Sequence, residues 1–413
     1  MNILCIYPEF PDTFWSYKHA LKFVGKRASQ PPLGLLTVAA MLPREWPVRL
    51  VDTNVRRLTK KDLVWADCAF ISAMIVQCES AKKIISECKE AGVCIVAGGP
   101  LFTDTYEEFT AVDHFVLNEA EITFPEFLRD LSCGSAKRVY STDRFADLAN
   151  TPVPRWELLD LERYASMSIQ FSRGCPFRCD FCNVTALLGH KVRTKSSQQI
   201  VAELDSLYKH GWREGVFFVD DNFIGNKSFL KTDLLPVLIE WRKGKRGFSF
   251  NTEASINLAD DTGLMNLMVE AGFTKVFVGI ETMDNECLTE CGKQQNKNRS
   301  LVEDVKTIQR MGLEVQAGFI IGFDHDRKSV FQKQADFIER SGIVTAMVGI
   351  LQALPGTRLY DRMKKQGRLR GISSGDNVDG TTNIISVMSL EELQEGYKKI
   401  MRCIYAPEAL QTY

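Results

Sequence analysis

A loop with three closely spaced cysteines constrains this chain more than any other stretch of it. Cys175, Cys179 and Cys182 follow the spacing C-x3-C-x2-C, and they come directly after the apolar run Met167 to Phe171. Three thiolates on one loop can bind three irons of a four-iron cluster and leave the fourth iron open to a substrate. The spacing therefore predicts a [4Fe-4S] cluster held by these three cysteines.

Two other interpretations of the cysteine loop stay open from the spacing alone. A structural zinc ion needs a fourth ligand, for which His190 is the only nearby candidate, and such sites more often combine two C-x2-C pairs. Three unliganded thiols are the remaining interpretation, because free cysteine is a common core residue. The flanking sequence has to decide among these three.

The loop resembles the signature of the radical S-adenosylmethionine (SAM) enzymes, in which an aromatic residue precedes the third cysteine as Phe181 does here. The resemblance implies that the open iron binds the amino and carboxylate groups of SAM, and that Phe181 lies near the adenine. An electron from the reduced cluster then breaks a carbon–sulfur bond of the sulfonium. By resemblance, cluster-mediated SAM cleavage is the catalytic role of Cys175, Cys179 and Cys182.

Length and composition narrow the class of protein further. A chain of 413 residues exceeds what one hydrophobic core usually fills, so two domains are expected. Lys and Arg (51) balance Asp and Glu (52), which argues against bulk nucleic-acid binding. No run approaches the roughly 18 apolar residues of a membrane span, and no secretory signal opens the chain. We therefore expect a cytoplasmic protein whose 12 cysteines are thiols or metal ligands.

The first third of the chain alternates apolar strands with helices. The strand candidates are Asn2 to Tyr7, Val48 to Val51, Cys68 to Ser72, Val93 to Ala97 and His114 to Leu117, and the clearest helices are 81–91 and 124–131. This order predicts a doubly wound, flavodoxin-like parallel sheet over residues 1–135, whose ligands lie at the carboxyl ends of the strands. Residues 136–165, rich in proline and polar side chains, are expected to form a linker.

Two loops of this first domain resemble the cobalamin-binding domain that precedes many radical SAM methylases. Gly98, Gly99 and Pro100 follow the fourth strand, while Asn118 and Glu119 stand where family members often have Gly-Glu-Gly-Glu. No Asp-x-His-x-x-Gly motif offers the cobalt an axial histidine, and many radical SAM members also lack it. The resemblance implies that these five residues bind cobalamin. The alternative is a flavodoxin-like domain that binds nothing or only the substrate.

The second half of the chain repeats strand and helix six times. The strand candidates are Met167 to Phe171, Val216 to Val219, Phe248 to Glu253, Val276 to Ile280, Val315 to Ile321 and Ala346 to Leu351. A capping box at Ser196 to Gln199 opens an amphipathic helix. Six repeats predict a partial (β/α)6 barrel over residues 166–360, with its chemistry at the carboxyl ends of the strands. A short helical extension over 361–413 follows, and we expect it to be truncated relative to the resembling proteins.

Acids and glycines follow four strands of this barrel. By resemblance, the residues that bind SAM are Phe181, Asp220, Asp221, Asn222, Glu253, Glu281, Gly318, Ile320 and Gly322. Each acid taken alone is better explained as a helix cap or a solvated loop charge. Their coincidence at four strand ends favours ligand binding.

The resemblance extends over nearly the whole chain and is greatest to radical SAM proteins of the hopanoid C-2 methylase type. It implies cobalamin-dependent methyl transfer to a small-molecule or lipid-like substrate, with a flavodoxin- or ferredoxin-type electron donor.

Two alternatives to methyl transfer remain. The organisation is also similar to the radical SAM enzyme of arsinothricin biosynthesis. That similarity implies transfer of the 3-amino-3-carboxypropyl group of SAM to a soft acceptor such as trivalent arsenic. Cys287 and Cys291, spaced C-x3-C, would then offer a second thiolate site, although two thiols without a role explain them as well. A non-catalytic iron–sulfur scaffold is the alternative of another class.

Overall fold

The computed structural model describes residues 1–406 and contains two six-stranded sheets. The strands are β1 (Ile3–Tyr7), β2 (Val48–Asp52), β3 (Cys68–Ser72), β4 (Cys94–Gly98), β5 (His114–Val116), β6 (Val139–Tyr140), β7 (Met167–Ile169), β8 (Ser172–Arg173), β9 (Arg193–Thr194), β10 (Gly215–Phe218), β11 (Ser249–Ala254), β12 (Phe273–Glu281), β13 (Glu314–Ile321) and β14 (Ala346–Ile350). The α-helices are α1 (Lys18–Leu21), α2 (Leu33–Ala40), α3 (Lys60–Trp65), α4 (Cys78–Glu90), α5 (Pro100–Thr105), α6 (Ala120–Ser132), α7 (Val184–Leu188), α8 (Ser197–Lys209), α9 (Lys227–Phe229), α10 (Leu235–Arg242), α11 (Thr262–Ala271), α12 (Asn285–Glu290), α13 (Leu301–Arg310), α14 (Val330–Ser341), α15 (Arg358–Lys365) and α16 (Leu390–Ile404). Part of the predicted C-terminal extension, 407–413, lies outside the described residues.

The chain divides into two compact units by its internal contacts. The first unit consists of residues 1–169 and 193–214, and the second consists of residues 170–192 and 215 onward. The segment with β9 and α8 thus belongs to the first unit although it follows the cysteine loop in sequence.

The first sheet has the strand order β2-β1-β3-β4-β5-β6, and its strands pair in parallel. This is the doubly wound order: β2 lies on one side of β1, and the later strands are added on the other side. Folds of this kind bind ligands at the carboxyl ends of the strands. The sheet has one strand more than the five expected. The additional strand, β6, lies in the segment expected to be a linker and is too short to carry an apolar pattern.

Helices cover both faces of the first sheet. One face packs against α4 and α5, where Ile84, Ile85 and Phe102 are buried, and the other packs against α2 and α6, where Leu35 and Phe124 are buried. Strands buried on both faces read as continuous apolar runs, which is why the sequence identified them. Each such side chain stabilises the fold by about 1.5–3 kcal/mol on full burial.

The second sheet has the order β14-β13-β12-β11-β10-β7, which is the sequential order of a partial barrel. Four buried aromatic rings pack together between its neighbouring strands. The ring centre of Phe218 lies 5.3 Å from that of Phe250 and 5.1 Å from that of Phe273, and the ring centre of Phe223 lies 4.9 Å from that of Phe273. The six predicted strands are all present, each within three residues of its expected start.

Helix α8 begins at the predicted capping box. The capping box is confirmed, because the Ser196 side chain accepts from the Gln199 amide while the Gln199 side chain binds the Ser196 amide. Within residues 1–406, no helix combines the length and the apolar character needed to cross a membrane.

Candidate active site

The cysteine loop turns tightly on Gly174. This glycine has φ +94°, and a Cβ atom there would lie 2.6 Å from the Lys191 carbonyl oxygen. The Cys175 amide then donates to the Gly189 carbonyl over 3.2 Å, which closes the loop on itself. Only glycine fits this turn, so the start of the loop is fixed by backbone geometry.

Burial raises the pKa of all three cysteine thiols in this loop, and for Cys182 it raises the pKa to about 12. The thiols therefore keep their protons in the protein alone, and binding of iron would release them. Among the described residues, no three His, Cys, Asp or Glu side chains form a group suited to one metal ion. Thiolates that bind three different irons need not meet at one point, whereas zinc ligands must, and His190 is exposed.

Asp180, between the second and third cysteines, anchors the loop to the rest of its unit. Its amide donates to the Cys291 carbonyl over 2.9 Å, and its carbonyl accepts from the Leu359 amide over 2.9 Å. Its carboxylate accepts from Arg362 Nη2 over 2.9 Å. The cysteine loop is therefore held by residues that lie more than 100 positions later in the chain.

Arg362 is the centre of a small charged network behind this loop. Besides Asp180, its guanidinium lies 3.5 Å from Glu290 Oε1 and 3.5 Å from Asp324 Oδ2. Arg368 binds the same Asp324 through two nitrogens, at 2.6 and 2.8 Å. This network is not apparent from the sequence, since no local pattern links residues 180 positions apart.

Asp220 lies at the carboxyl end of β10 and is fully engaged by protein groups. Its carboxylate accepts from the Phe171 amide at 3.0 Å and from the amide and hydroxyl of Ser172 at 2.5 Å each. Burial raises its pKa to about 7. Asp220 thus ties the end of β10 to the chain that leads into the cysteine loop.

Asn222 has a similar bridging contact one strand further along. Its Oδ1 accepts from the Ser255 amide at 3.1 Å and lies 3.2 Å from the Ser255 hydroxyl. The side chain therefore joins the carboxyl ends of β10 and β11.

Asp221 and Glu253 lie at the same strand ends without such partners. Among the described residues, neither carboxylate accepts a hydrogen bond from another residue. Burial raises the pKa of Asp221 to about 6. Burial, together with the nearby Asp221 and Asp220, raises the pKa of Glu253 to about 8. These two recessed acids could bind a cationic ligand at the cluster side of the barrel.

Glu281 ends β12 in a left-handed conformation, φ +62°, and its carboxylate forms a buried ion pair with Lys293 at 2.6 Å. A Cβ atom on Gly279 would lie 2.3 Å from Glu281 Oε1 and 2.7 Å from Lys293 Nζ, so the pair requires a glycine there. Burial alone would lower the pKa of Lys293, but Glu281 and the Cys179 thiol outweigh it and hold the pKa above its ordinary value. No sequence motif indicates this role of Lys293.

The loop after β13 is held by an acid of its own. Gly322, with φ +101°, donates its amide to Asp326 Oδ2 over 2.7 Å, and Phe323 does the same over 3.1 Å. Gly318 leaves room for the Phe277 ring, 3.0 Å from where its Cβ would stand. Phe323 belongs to a buried apolar cluster, and Ile320 and Phe181 both pack against that cluster.

Cys287 and Cys291 belong to that apolar cluster as well, and both are fully buried. The Cys287 thiol lies 3.4 Å from Asp326 Oδ1. Burial raises the pKa of both thiols, to about 12 for Cys291. Both side chains therefore stay protonated at neutral pH.

In the first unit, the predicted glycines permit close packing of neighbouring strand ends. A Cβ atom on Gly98 would lie 2.5 Å from the Val116 carbonyl oxygen, and one on Gly99 would lie 2.6 Å from Ser72 Oγ. Gly99 also has φ +92°, and Pro100 is the first residue of α5. The carboxyl end of β4 is thereby free of side chains.

Glu119 has a role that the sequence did not indicate. Its two carboxylate oxygens accept from Arg193 Nη2 at 2.7 Å and Nη1 at 2.8 Å, and one also accepts from the Ala146 amide at 2.8 Å. Both side chains are largely buried, at 4% and 14% exposure. Asn118, with φ +63°, accepts from the Thr142 amide over 3.2 Å.

Three protein families match segments of the chain. They are the radical SAM superfamily over residues 169–338, the B12 binding domain over 27–128 and a domain of unknown function over 357–412. Together the first two account for the expected cluster, SAM and cobalamin.

Two curated proteins and one solved structure illustrate the similarity. The chain is 44% identical to an uncharacterized methyltransferase of Synechocystis sp., over 98% of this chain and 76% of that protein. It is 36% identical to the hopanoid C-2 methylase of Rhodopseudomonas palustris, over 99% of this chain and 78% of that protein. The fold is similar to the radical SAM methyltransferase TsrM from Kitasatospora setae, solved with cobalamin and a [4Fe-4S] cluster bound. That match has a TM-score of 0.69 and 16% identity, over 89% of this chain and 75% of that one.

These similarities confirm the predicted fold class and the predicted family resemblance. Transfer of the 3-amino-3-carboxypropyl group, the alternative considered from the sequence, finds no support among these relatives, which are methyltransferases by name.

Proposed function

Because this chain belongs to the cobalamin-dependent radical SAM methyltransferase family, we propose that it cleaves SAM reductively and methylates a small-molecule or lipid-like substrate. One observation of the site carries the SAM half of this proposal. Asp221 and Glu253 are recessed acids that, among the described residues, have no hydrogen-bonding protein partner. Asp221 lies near Cys175 and Cys182, and Glu253 lies near Asp221. SAM presents an ammonium and a sulfonium, and such acids attract these charges most strongly where water is limited.

The residues around the cysteine loop take distinct roles in this proposal. Cys175, Cys179 and Cys182 hold the cluster, which supplies the electron that breaks a carbon–sulfur bond of SAM. Lys293 directs its ammonium toward the same loop and is suited to the carboxylate of SAM. It also keeps Glu281 in place.

Other side chains at the barrel mouth support the bound SAM without pairing with its charges. Phe181 and Ile320 belong to an apolar wall suited to the adenine ring, with Gly318 and Gly322 giving room beside it. Asp220 and Asn222 act as positioning residues, because their oxygens are occupied by Phe171, Ser172 and Ser255.

The first unit offers a fitting surface for cobalamin. Gly98 and Gly99 leave the end of β4 without side chains at the edge of the sheet where doubly wound folds bind ligands, and Pro100 begins α5 directly after them. Asn118 lies at the end of the neighbouring strand. Glu119 contributes indirectly, since its carboxylate holds Arg193 and the Ala146 amide. When bound there, cobalamin supplies the methyl group for transfer.

The substrate to test first is a polycyclic apolar lipid. The relative from Rhodopseudomonas palustris is named as a hopanoid C-2 methylase, and its similarity extends over most of both chains.

A single anaerobic turnover with dithionite tests the proposal. We expect 5′-deoxyadenosine together with S-adenosylhomocysteine, and equal amounts of cobalt and cluster in the purified enzyme. Replacing Cys175, Cys179 and Cys182 by Ala should remove the iron and all SAM cleavage. The matched control replaces Cys133 and Cys403, which are exposed cysteines outside the loop, and should keep both. Release of 5′-methylthioadenosine by a cobalt-free enzyme would contradict methyl transfer.

A further inference from the structure

A group of exposed cations lies on the cysteine loop and on the helix that contacts it. We name it the α15 surface and define it by Arg178, on the loop itself, and Arg358, Lys364 and Lys365 on helix α15. All four side chains are exposed, and among the described residues none of them forms an ion pair. Since the whole chain has a net charge of only −1, this concentration of unpaired positive charge is a local feature.

The α15 surface lies against the residues that carry the cluster ligands. The Leu359 amide donates to the carbonyl of Asp180, the neighbour of Cys179, over 2.9 Å. The Arg358 guanidinium donates to the Arg178 carbonyl on the same loop. An α-helix rises about 1.5 Å per residue, so Lys364 and Lys365 lie roughly 9–11 Å along the helix from Arg358.

The acids beside this surface do not neutralise it. Asp180, Glu290 and Asp324 are engaged by Arg362 or by Arg368. His325 also binds Glu290, at 2.8 Å. The remaining exposed acid of the helix is Asp361, so the outer side of α15 keeps a positive excess next to the loop.

We propose that the α15 surface is the docking site of an acidic one-electron carrier protein that reduces the cluster. The inference rests on the proposed function, because reductive cleavage of SAM consumes one electron each time. In the docking step the reduced carrier loses one electron and the cluster gains it, and no bond forms or breaks. A negatively charged carrier is steered to this surface, where α15 contacts Arg178 and Asp180 on either side of Cys179.

Charge reversal on the helix tests the docking site. The variant Lys364→Glu/Lys365→Glu alters two exposed side chains without contacts to the loop. The matched control is Lys398→Glu/Lys399→Glu, an equally exposed pair of adjacent lysines on helix α16. SAM cleavage is measured in the full-length enzyme with dithionite, and again with a flavodoxin that its NADPH-dependent reductase keeps reduced. Equilibrium binding of flavodoxin to each variant is measured as well, and it should weaken in the α15 variant alone.

We expect the flavodoxin-driven rate of the α15 variant to fall about tenfold at low salt, as for other steered encounters. Its dithionite-driven rate and the control variant's two rates should stay at the level of the unaltered enzyme. Equal flavodoxin-driven rates in the two double variants would overturn the docking site. Absence of dithionite-driven cleavage in the unaltered enzyme would instead refute the proposed function.

A salt titration of the unaltered enzyme gives a second measurement, which does not depend on whether a variant folds. Screening should slow the flavodoxin-driven reaction steeply between about 0.01 and 0.15 M salt, as the Debye length falls from about 30 to 8 Å. The dithionite-driven reaction should change little. A flavodoxin-driven rate that does not depend on salt would exclude electrostatic docking at this surface.

Discussion

Acidic side chains lie at the carboxyl ends of the strands in both sheets, but they differ in whether another protein group binds them. In the first sheet, the strand-end acids have protein partners: Asp52 accepts from the Tyr164 hydroxyl at 3.0 Å, and Glu119 binds Arg193. In the second sheet, Asp220 is likewise engaged, but Asp221 and Glu253 are not. An acid at a strand end is therefore in a position to reach a ligand. Among such acids, those that no protein group binds are available to bind the ligand.

The first test of this comparison removes the partnered acid of the first sheet. Glu119→Gln removes the negative charge that the largely buried Arg193 guanidinium contacts at 2.7 Å, so we expect a loss of about 3–5 kcal/mol in the free energy of unfolding. Denaturant unfolding measures it. The control is Glu126→Gln, which breaks the exposed pair with Lys137 and should change little. A Glu119 variant as stable as this control would remove the distinction between the two sheets.

The second test concerns the partnered acid of the second sheet. Asp220→Asn places an amide opposite the three donors of Phe171 and Ser172, so at least one hydrogen bond to a charged group is lost. We expect a cost of about 2–3 kcal/mol and a lower iron content, because the cysteine loop begins at these residues. Iron analysis and thermal unfolding measure the two effects. Asp221→Asn is the control, and it should preserve stability.

The third test addresses an acid without partners. Glu253→Gln should weaken SAM binding about tenfold, equivalent to about 1.4 kcal/mol, while the folded protein stays as stable or becomes more so. Equilibrium binding measures the affinity. The control is Glu314→Gln at the opposite end of β13, where the acid forms an exposed pair with Lys275. Unchanged SAM affinity together with lost stability would place Glu253 among the structural acids.

The smallest expected effect is a pH dependence of stability. The pKa of Glu253 is about 8 in the folded protein, and an unfolded glutamate has a pKa of about 4.3. Between these values the folded state binds more protons than the unfolded state, so this contribution to stability is present below pH 4 and is lost as the pH rises to 8. The slope is at most about 1 kcal/mol per pH unit for a partly accessible group.

Glu253→Gln should make that slope shallower when unfolding is measured without SAM from pH 5 to 8. The same slope in both proteins would mean that Glu253 is ionised throughout this range in the folded state.

Much of the fold was predictable from the sequence because its strands are apolar runs that end at glycine, proline or polar residues. β3 has the predicted bounds, Cys68–Ser72, and β14 has the predicted start. β6 escaped detection because two residues have no measurable periodicity. In the site, the sequence indicated which acids stand at strand ends but not what they touch.

The missed contacts are long-range ones. Arg193 is 74 residues from Glu119, and Arg362 is 182 residues from Asp180. Lys293 follows its partner by only 12 residues, yet the pair forms only because the chain returns through α12 and because Gly279 leaves room for both side chains. Such pairs are set by the packed tertiary structure, whereas propensity and spacing report only on neighbours.

The contacts of Asp180 have a consequence for how this protein can be taken apart. The match to the radical SAM superfamily ends at residue 338, yet Leu359 and Arg362, which hold the cysteine loop, lie beyond that limit. A fragment trimmed to the matched segment would keep every cluster ligand and lose their support. A segment exchanged between related enzymes therefore has to be longer than the segment that matches the superfamily, and it has to include α15.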